Sequence, residues 1–370
     1  MDPRLSAGYI TIDLVAIQKN YQKLLSLMEA NDCAAVVKAD AYGLGAQMVA
    51  PALHDAGCQK FFVAIPEEGV ALRRILPDVE IFILGGLFPD CEEVYVHERL
   101  APVLNSLEEI ETWSKLTQSH GPLPAIIHID SGICRLGLLE ADVNALAANP
   151  GIMDGIEVEY LMSHLASADD FKNPQNQEQL DTLTGLIAKL PEGLRNTPVS
   201  FANSSGMFHG TDFRFELGRP GIALYGANPT PHLENPMLPV VEWQGKVLQV
   251  HDVDSGKPVG YGATYRTSKR SRIATVSIGY ADGYFRYLGN KAEVSINNKR
   301  VPVVGRVSMD MITIDITSLD EGECERGDLV YLIGESVTLD YIAEKAGTVA
   351  YEILTSLGQR CHRRYLDAGA

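Results

Sequence analysis

Lys38 follows the apolar run Cys33-Ala34-Ala35-Val36-Val37 and leads into Ala39-Asp40-Ala41-Tyr42-Gly43-Leu44-Gly45. An amine held beside apolar neighbours loses its proton more readily, and a neutral lysine condenses with an aldehyde to form a Schiff base. The same position also suits a lysine whose stem lies along a strand end while its ammonium reaches water. Arg135, within Ser131-Gly132-Ile133-Cys134-Arg135-Leu136-Gly137, offers a guanidinium for a carboxylate or a phenolate oxygen, or for an ordinary surface ion pair. His164 closes another apolar run and reads either as a packed core histidine or as part of a site. Asn203-Ser204-Ser205-Gly206 and Gly218-Arg219-Pro220-Gly221-Ile222 bring hydroxyls and free amides that suit a phosphate, although each is also ordinary turn chemistry.

The elements that must position these residues repeat one alternation from Cys33 to Gly226: a short β-branched run, a loop, then a stretch with helical spacing. Candidate strands are Cys33–Lys38, Phe61–Ile65, Glu80–Leu84, Ala101–Leu104, Ala125–Asp130, Ile156–His164, Val199–Asn203 and a last segment ending near Tyr225. This count is what a closed (β/α)8 barrel of the TIM type requires, and such barrels carry their reacting groups at the carboxyl ends of the strands, with phosphate commonly after strands seven and eight. Helices are expected at Glu67–Ile75, at Ser106–Leu116 with Ser106 and Glu109 as a capping box, and at Gln175–Leu190. After Pro239 the pattern becomes alternating segments without intervening helices: Val247–His251, Arg272–Ile278, Ala292–Ile296, Met311–Ile316 and Leu329–Ile333. The reading is a barrel domain over 8–238 followed by a mostly β domain over 239–370. The early segment Tyr9–Ile12, followed by Asp13 as an N-cap and a helix to about Met28, is open to pair with that later domain.

The chain has 370 residues and a formal net charge of -17, which repels both nucleic acid and an anionic membrane. Its cysteines are scattered without a C-x-x-C pair, as in a reducing compartment. No apolar run approaches the ~18 residues that a membrane span needs, and no secretory h-region opens the sequence. A cytoplasmic protein without nucleic-acid or membrane partners is expected. The histidines show no H-x-H spacing, which makes a metal hydrolase remote.

Assembled in order, the motifs Val36-Val37-Lys38-Ala39-Asp40-Ala41-Tyr42-Gly43-Leu44-Gly45, Ser163-His164, Ala202-Asn203-Ser204, Arg219-Pro220-Gly221-Ile222-Ala223-Leu224-Tyr225-Gly226, Tyr261-Gly262-Ala263-Thr264-Tyr265, Gly279-Tyr280-Ala281-Asp282-Gly283 and Gly305-Arg306-Val307-Ser308-Met309-Asp310 resemble the alanine racemase family over essentially the whole chain. The resemblance implies a pyridoxal phosphate (PLP) enzyme that interconverts L- and D-alanine by a two-base mechanism through a Cα carbanion. It implies that Lys38 carries the cofactor, that Tyr42, Ser204, Gly221, Ile222 and Tyr351 hold its phosphate, and that Arg219 faces the pyridine nitrogen. Arg135 would lie near the phenolic oxygen and the substrate carboxylate, with His164 and Asn203 completing the surroundings. Lys38 would serve as base on the D side and Tyr265 on the L side, the proton of Tyr265 being managed by His164 and Arg219. Met309 and Asp310 would meet the substrate, Tyr284 would stand at the entrance, and Tyr265 would come from the partner of a homodimer with shared active sites.

This chain departs from the family's pattern at His128, where many members carry a lysine modified to a carbamate that orients the equivalent of Arg135. It departs again at Ser200, where a histidine is frequent. Two rivals remain: a decarboxylase on the same scaffold, which would place an acid where Arg219 stands, and a non-enzymatic PLP carrier, which would lack the domain that supplies Tyr265.

Overall fold

Phe61, Phe62 and Val63, like Ile81, Phe82 and Ile83, are buried in unbroken succession, as strands covered on both faces require. In the computed structural model, which describes residues 2–367, they belong to a parallel sheet. Its order is Ala35–Val36, Lys60–Val63, Glu80–Ile83, Ala101–Leu104, Leu123–His128, Ile156–Met162 and Val199–Ser200. An eighth strand, Leu217–Gly218, pairs parallel with Asp32–Cys33 at the start of strand one. On its other side Arg219 N donates to Ala202 O at 2.9 Å, so the ring is closed. The barrel is filled rather than hollow: the Phe62 and Phe82 rings stack at 4.8 Å, and the Tyr160 ring meets Phe82 edge-on.

The eighth strand is shorter than the segment read from the sequence. Pro220 lacks the N–H that would extend the ladder. The chain instead turns into a 3-10 helix over Ile222–Tyr225. Helix Pro66–Ile75 begins as its sequence demands, with proline in the first turn followed by Glu67 and Glu68. Helix Leu107–His120 has half of the expected capping box: Ser106 Oγ accepts from Glu109 N at 3.2 Å. The Glu109 carboxylate reaches Asn105 N at 2.8 Å and Leu87 N at 3.3 Å instead of Ser106 N.

Ile17–Leu224 and Asn228–Leu238 make up this barrel unit. A second unit collects the described residues up to Ala16, Tyr225–Ala227, and those from Pro239 onward. It is built on Val241–Val253, a long strand whose register shifts at Trp243/Gln244 and at Val247/Gln249. Such irregularities bend a strand. Its first part pairs with Gly8–Asp13 and Leu329–Ile333, its second with Ser271–Val276. Gly8–Asp13 also runs parallel to His362–Leu366. Asp13 Oδ1 accepts from Ala16 N at 2.8 Å, capping the helix Leu14–Leu27. The expectation of no helices after Pro239 is corrected by Leu339–Ala346 and Ala350–Thr355. Thr338 caps the first of these, and Leu339, Ile342 and Ala343 bury one face at helical spacing. No helix among the described residues is long and apolar enough to cross a membrane.

Candidate active site

Lys38 sits just past the end of the first barrel strand and opens a turn in which Ala39, Asp40, Ala41 and Tyr42 have φ of 52, 55, 52 and 56°. Ala41 N donates to Val37 O and Gly43 N to Ala39 O, each at 2.8 Å, which makes one turn of left-handed helix. That conformation costs an L-residue about 1–2 kcal/mol, so a run of it survives only where its surroundings hold it. Glu68 Oε1 accepts from Ala39 N at 2.6 Å, and Asp40 Oδ1 from Ala46 N at 2.7 Å. Burial lowers the proton affinity of the Lys38 amine, the positive charge of Arg135 lowers it further, and Glu68 opposes them.

Arg219 is buried without a carboxylate partner among the described residues. One terminal nitrogen donates to Ser200 Oγ at 2.6 Å, the other to Ser163 O at 2.6 Å and, more weakly, to His164 Nδ1 at 3.4 Å. The Phe62 ring lies 5.9 Å from the guanidinium carbon. Burial alone brings the Arg219 pKa down to about 9. His164 is held neutral by burial, with the charges of Arg219, Arg135 and Lys38 adding to the effect. Gln179 fixes this corner, donating to His164 O at 2.9 Å while its own oxygen accepts from Ala166 N at 2.8 Å.

Ser204 Oγ accepts from Gly221 N at 2.9 Å and from Ala223 N at 3.2 Å, so the ends of strands seven and eight share one hydroxyl. Gly221 lies so close to Tyr42 that a Cβ there would stand 2.3 Å from the phenol oxygen. Ile222 is buried beside them. Asn203 shapes the loop, its oxygen accepting from Gly206 N at 2.9 Å and its nitrogen donating to Leu165 O at 3.1 Å. Lys38, Tyr42, Arg135, His164, Asn203, Ser204, Arg219, Gly221 and Ile222 therefore all belong to the barrel unit.

At His128, Asn105 Nδ2 donates to Val103 O at 2.7 Å, which turns its oxygen toward the imidazole. Nδ1 therefore carries the proton that Asn105 Oδ1 accepts at 2.7 Å, and Nε2 is a buried lone pair with no partner among the described residues. Burial, followed by the charge of Arg219, brings the His128 pKa down to about 4 against the pull of Asp130. Arg135 is exposed on the loop after strand five.

The remaining residues belong to the β unit. The Tyr265 hydroxyl donates to Asp315 Oδ2 at 3.1 Å, so burial and that carboxylate raise its pKa. Met309 and Tyr351 are exposed, and Asp310 pairs with Arg360 at 2.6 Å. The expectation that Tyr284 stands at an entrance is corrected: it is 1% exposed and packs edge-on against Trp243. Sequence reasoning missed Glu68, Asn105, Ser163 and Gln179. Glu68 left a signal as the third residue of a helix that opens with proline, and Ser163 as part of the Ser163-His164 motif, though neither was given a role.

The model of the alanine racemase N-terminal domain matches residues 12–229, and that of the alanine racemase C-terminal domain matches residues 240–365. The catabolic alanine racemase of Agrobacterium fabrum is 46% identical over 366 residues, covering 98% of this chain and 93% of that protein. The alanine racemase of Brucella ovis is 44% identical over 376 residues, covering 98% and 94%. The crystal structure of alanine racemase from Bartonella henselae with covalently bound pyridoxal phosphate superposes with a TM-score of 0.93 at 44% identity, over 98% of this chain and all of that one. A strand-end lysine with a weakened hold on its proton, a buried arginine without an acid and two matched domain models lead to one conclusion: the chain belongs to the alanine racemase family.

Proposed function

We propose that the protein interconverts L- and D-alanine with pyridoxal phosphate held at the mouth of the barrel unit. The observation that carries this reading is Lys38, half-buried at a strand end and more easily deprotonated than a free lysine. The residues fit the cofactor. Ser204 accepts from two amides, which leaves its own proton for an anionic oxygen. The glycine at 221 keeps open a place beside Tyr42 that a side chain would fill. Arg219 retains N–H groups beyond those bound to Ser200 and Ser163, which suits an acceptor ring nitrogen.

PLP, when bound, supplies an electron sink that makes the substrate Cα–H acidic. Arg219 disfavours a proton on the ring nitrogen, because two positive charges would be adjacent. That weakens the sink and favours return of the proton to Cα, which is racemisation, over its delivery elsewhere. Lys38 holds the cofactor and handles the proton on the D side, while Tyr265 handles it on the L side. Arg135 and the Met309 amide bind the substrate carboxylate, and Asp310 shapes a polar approach. His164 and Asn203 border the cofactor, and Tyr351 joins Tyr42, Ser204, Gly221 and Ile222 around its phosphate. The working unit is a homodimer in which the partner subunit's Tyr265 completes each site.

The test is reduction of the purified protein with borohydride, peptide mapping, and exchange of the alanine α-proton in heavy water. Cofactor fixed on Lys38 together with α-proton exchange is the expected result; label on another lysine, or no exchange, sinks the reading.

A further inference from the structure

The left-handed turn after Lys38 needs an external restraint, and the side chain that supplies it comes from the next βα unit. Glu68 lies in the first turn of helix Pro66–Ile75, just past the end of the strand Lys60–Val63. Its two carboxylate oxygens divide their work. Oε1 accepts from Ala39 N at 2.6 Å, and Oε2 accepts from Ala64 N at 2.8 Å and Ile65 N at 3.4 Å. One carboxylate therefore ties the residue immediately after Lys38 to the end of the neighbouring strand. The barrel ladder gives that strand end a fixed place: Val37 N donates to Phe62 O at 2.9 Å, and Leu84 N to Val63 O at 2.9 Å.

We propose that Glu68 is a positioning residue for Lys38: by clamping Ala39 N to the second strand it holds the left-handed turn and fixes where the amine points. This rests on the reading that Lys38 carries the cofactor. Without the clamp, each of the four residues from Ala39 to Tyr42 gains by relaxing toward an ordinary conformation. Within the turn Ala41 N donates to Val37 O, and Asp40 accepts from Ala46 N on the far side; Glu68 adds the tie from the neighbouring βα unit to the residue immediately after Lys38. Glu68 also matters electrically, since its negative charge offsets part of the effect of Arg135 on the Lys38 amine. The neighbouring Glu67 shares the helix end but is exposed, which makes Glu67→Gln a matched control for the loss of a helix N-terminal charge.

The experiment compares the holoenzymes of Glu68→Gln, Glu68→Asp, Glu67→Gln and the unaltered chain. Amide hydrogen exchange is followed over the peptide from Val37 to Gly45, alongside kcat, KM and the pH at which the lysine-bound cofactor's absorbance titrates. In Glu68→Gln one amide end accepts and the other donates, so the bridge cannot form on both sides. The expected result is exchange in the 37–45 peptide at least about tenfold faster, a kcat at least about tenfold lower with a smaller change in KM, and a shifted cofactor titration. Glu67→Gln should leave all three where they were. Glu68→Asp, with an intact carboxylate on a shorter stem, should recover part of the lost kcat.

If Glu68→Gln matches Glu67→Gln in exchange and in kcat, the clamp is not the function of this carboxylate and the proposal falls. It falls equally if exchange rises while kcat and the cofactor titration stay unchanged, because Glu68 would then only stabilise the fold. The exchange readout does not depend on which lysine binds the cofactor. Failure of the Lys38 assignment would appear as borohydride label elsewhere in the unaltered chain, separately from any result on Glu68.

Discussion

Arg219 is a charged group taken out of water and held by neutral acceptors, one of them the hydroxyl of Ser200. Removing that hydroxyl strands a buried guanidinium N–H, a loss that typically costs about 1–3 kcal/mol. Ser200→Ala should lower the melting temperature by several degrees and reduce kcat, and a thermal scan beside steady-state kinetics checks both. An unchanged melting temperature would mean that water replaces the hydroxyl. Gly221 makes a steric prediction. Its Cβ would meet Tyr42 at 2.3 Å, so Gly221→Ala should weaken PLP binding by at least about tenfold, measured by fluorescence titration of the stripped protein, while the far-ultraviolet spectrum stays the same. Lys38 was legible in the sequence because it ends an apolar run of strand length, whereas Ser204 and Gly221 stood out through the motifs of the family resemblance. The roles of Asn105, Ser163 and Gln179 were not legible, although Ser163 stood in a quoted motif, since those roles come from hydrogen bonds between strands and loops far apart in the chain. The orientation of Tyr284 was misread for a related reason: a motif gives a residue's place along the chain, but whether its ring points inward depends on what packs against it.

Strand Ile156–Met162 carries a different kind of stress. Glu159 lies on it with one carboxylate oxygen buried and unpartnered among the described residues. Burial, then the like charge of Glu80, holds its pKa up at about 7 against the pull of Lys60. A folded-state pKa above the ordinary carboxylate value means that the native protein binds this proton more tightly than the unfolded chain does. The stability so gained is complete below about 4.5 and is lost as the pH rises through about 7. Glu159→Gln should therefore raise the melting temperature by a few degrees at pH 8 and change it little near pH 4.5, which scans at the two values would show. His128 works in the opposite sense. Its neutral form is favoured in the fold, so its contribution is present above about 6.5 and disappears as the pH falls toward about 4. Between those limits the slopes offset, and stability should be flatter with pH than either group alone would make it. The barrel elements were legible because alternation of strand and helix leaves a strong period. The helices Leu339–Ala346 and Ala350–Thr355 were not, since each is short and lies among β segments.

At the scale of the whole molecule, Lys38 and Tyr265 belong to different units of the chain, yet the proposed chemistry needs them on opposite faces of one small substrate. If the partner subunit's Tyr265 completes each site, mixing Lys38→Ala chains with Tyr265→Ala chains should restore activity that neither parent has. Random reassortment makes about half the dimers mixed, each with one intact site, so recovery should approach roughly a quarter of the unaltered sites. Subunit exchange verified by mass, with no recovery of activity, would show that both bases come from one chain.

The strand Gly8–Asp13 lies between Val241–Val253 and His362–Leu366, and it buries Tyr9, Ile10 and Ile12 there. On the ribosome that strand emerges early, while one neighbour is not made until Val241 and the other not until His362. At about 5–20 residues per second the interval is tens of seconds, during which the whole barrel unit can be synthesised and fold. For that time the nascent chain trails an apolar, unpaired strand, which is the form of exposed edge most prone to pair with a neighbouring chain. Yield in the cell should therefore depend on elongation speed and chaperone capacity more steeply than the stability of the finished protein would suggest.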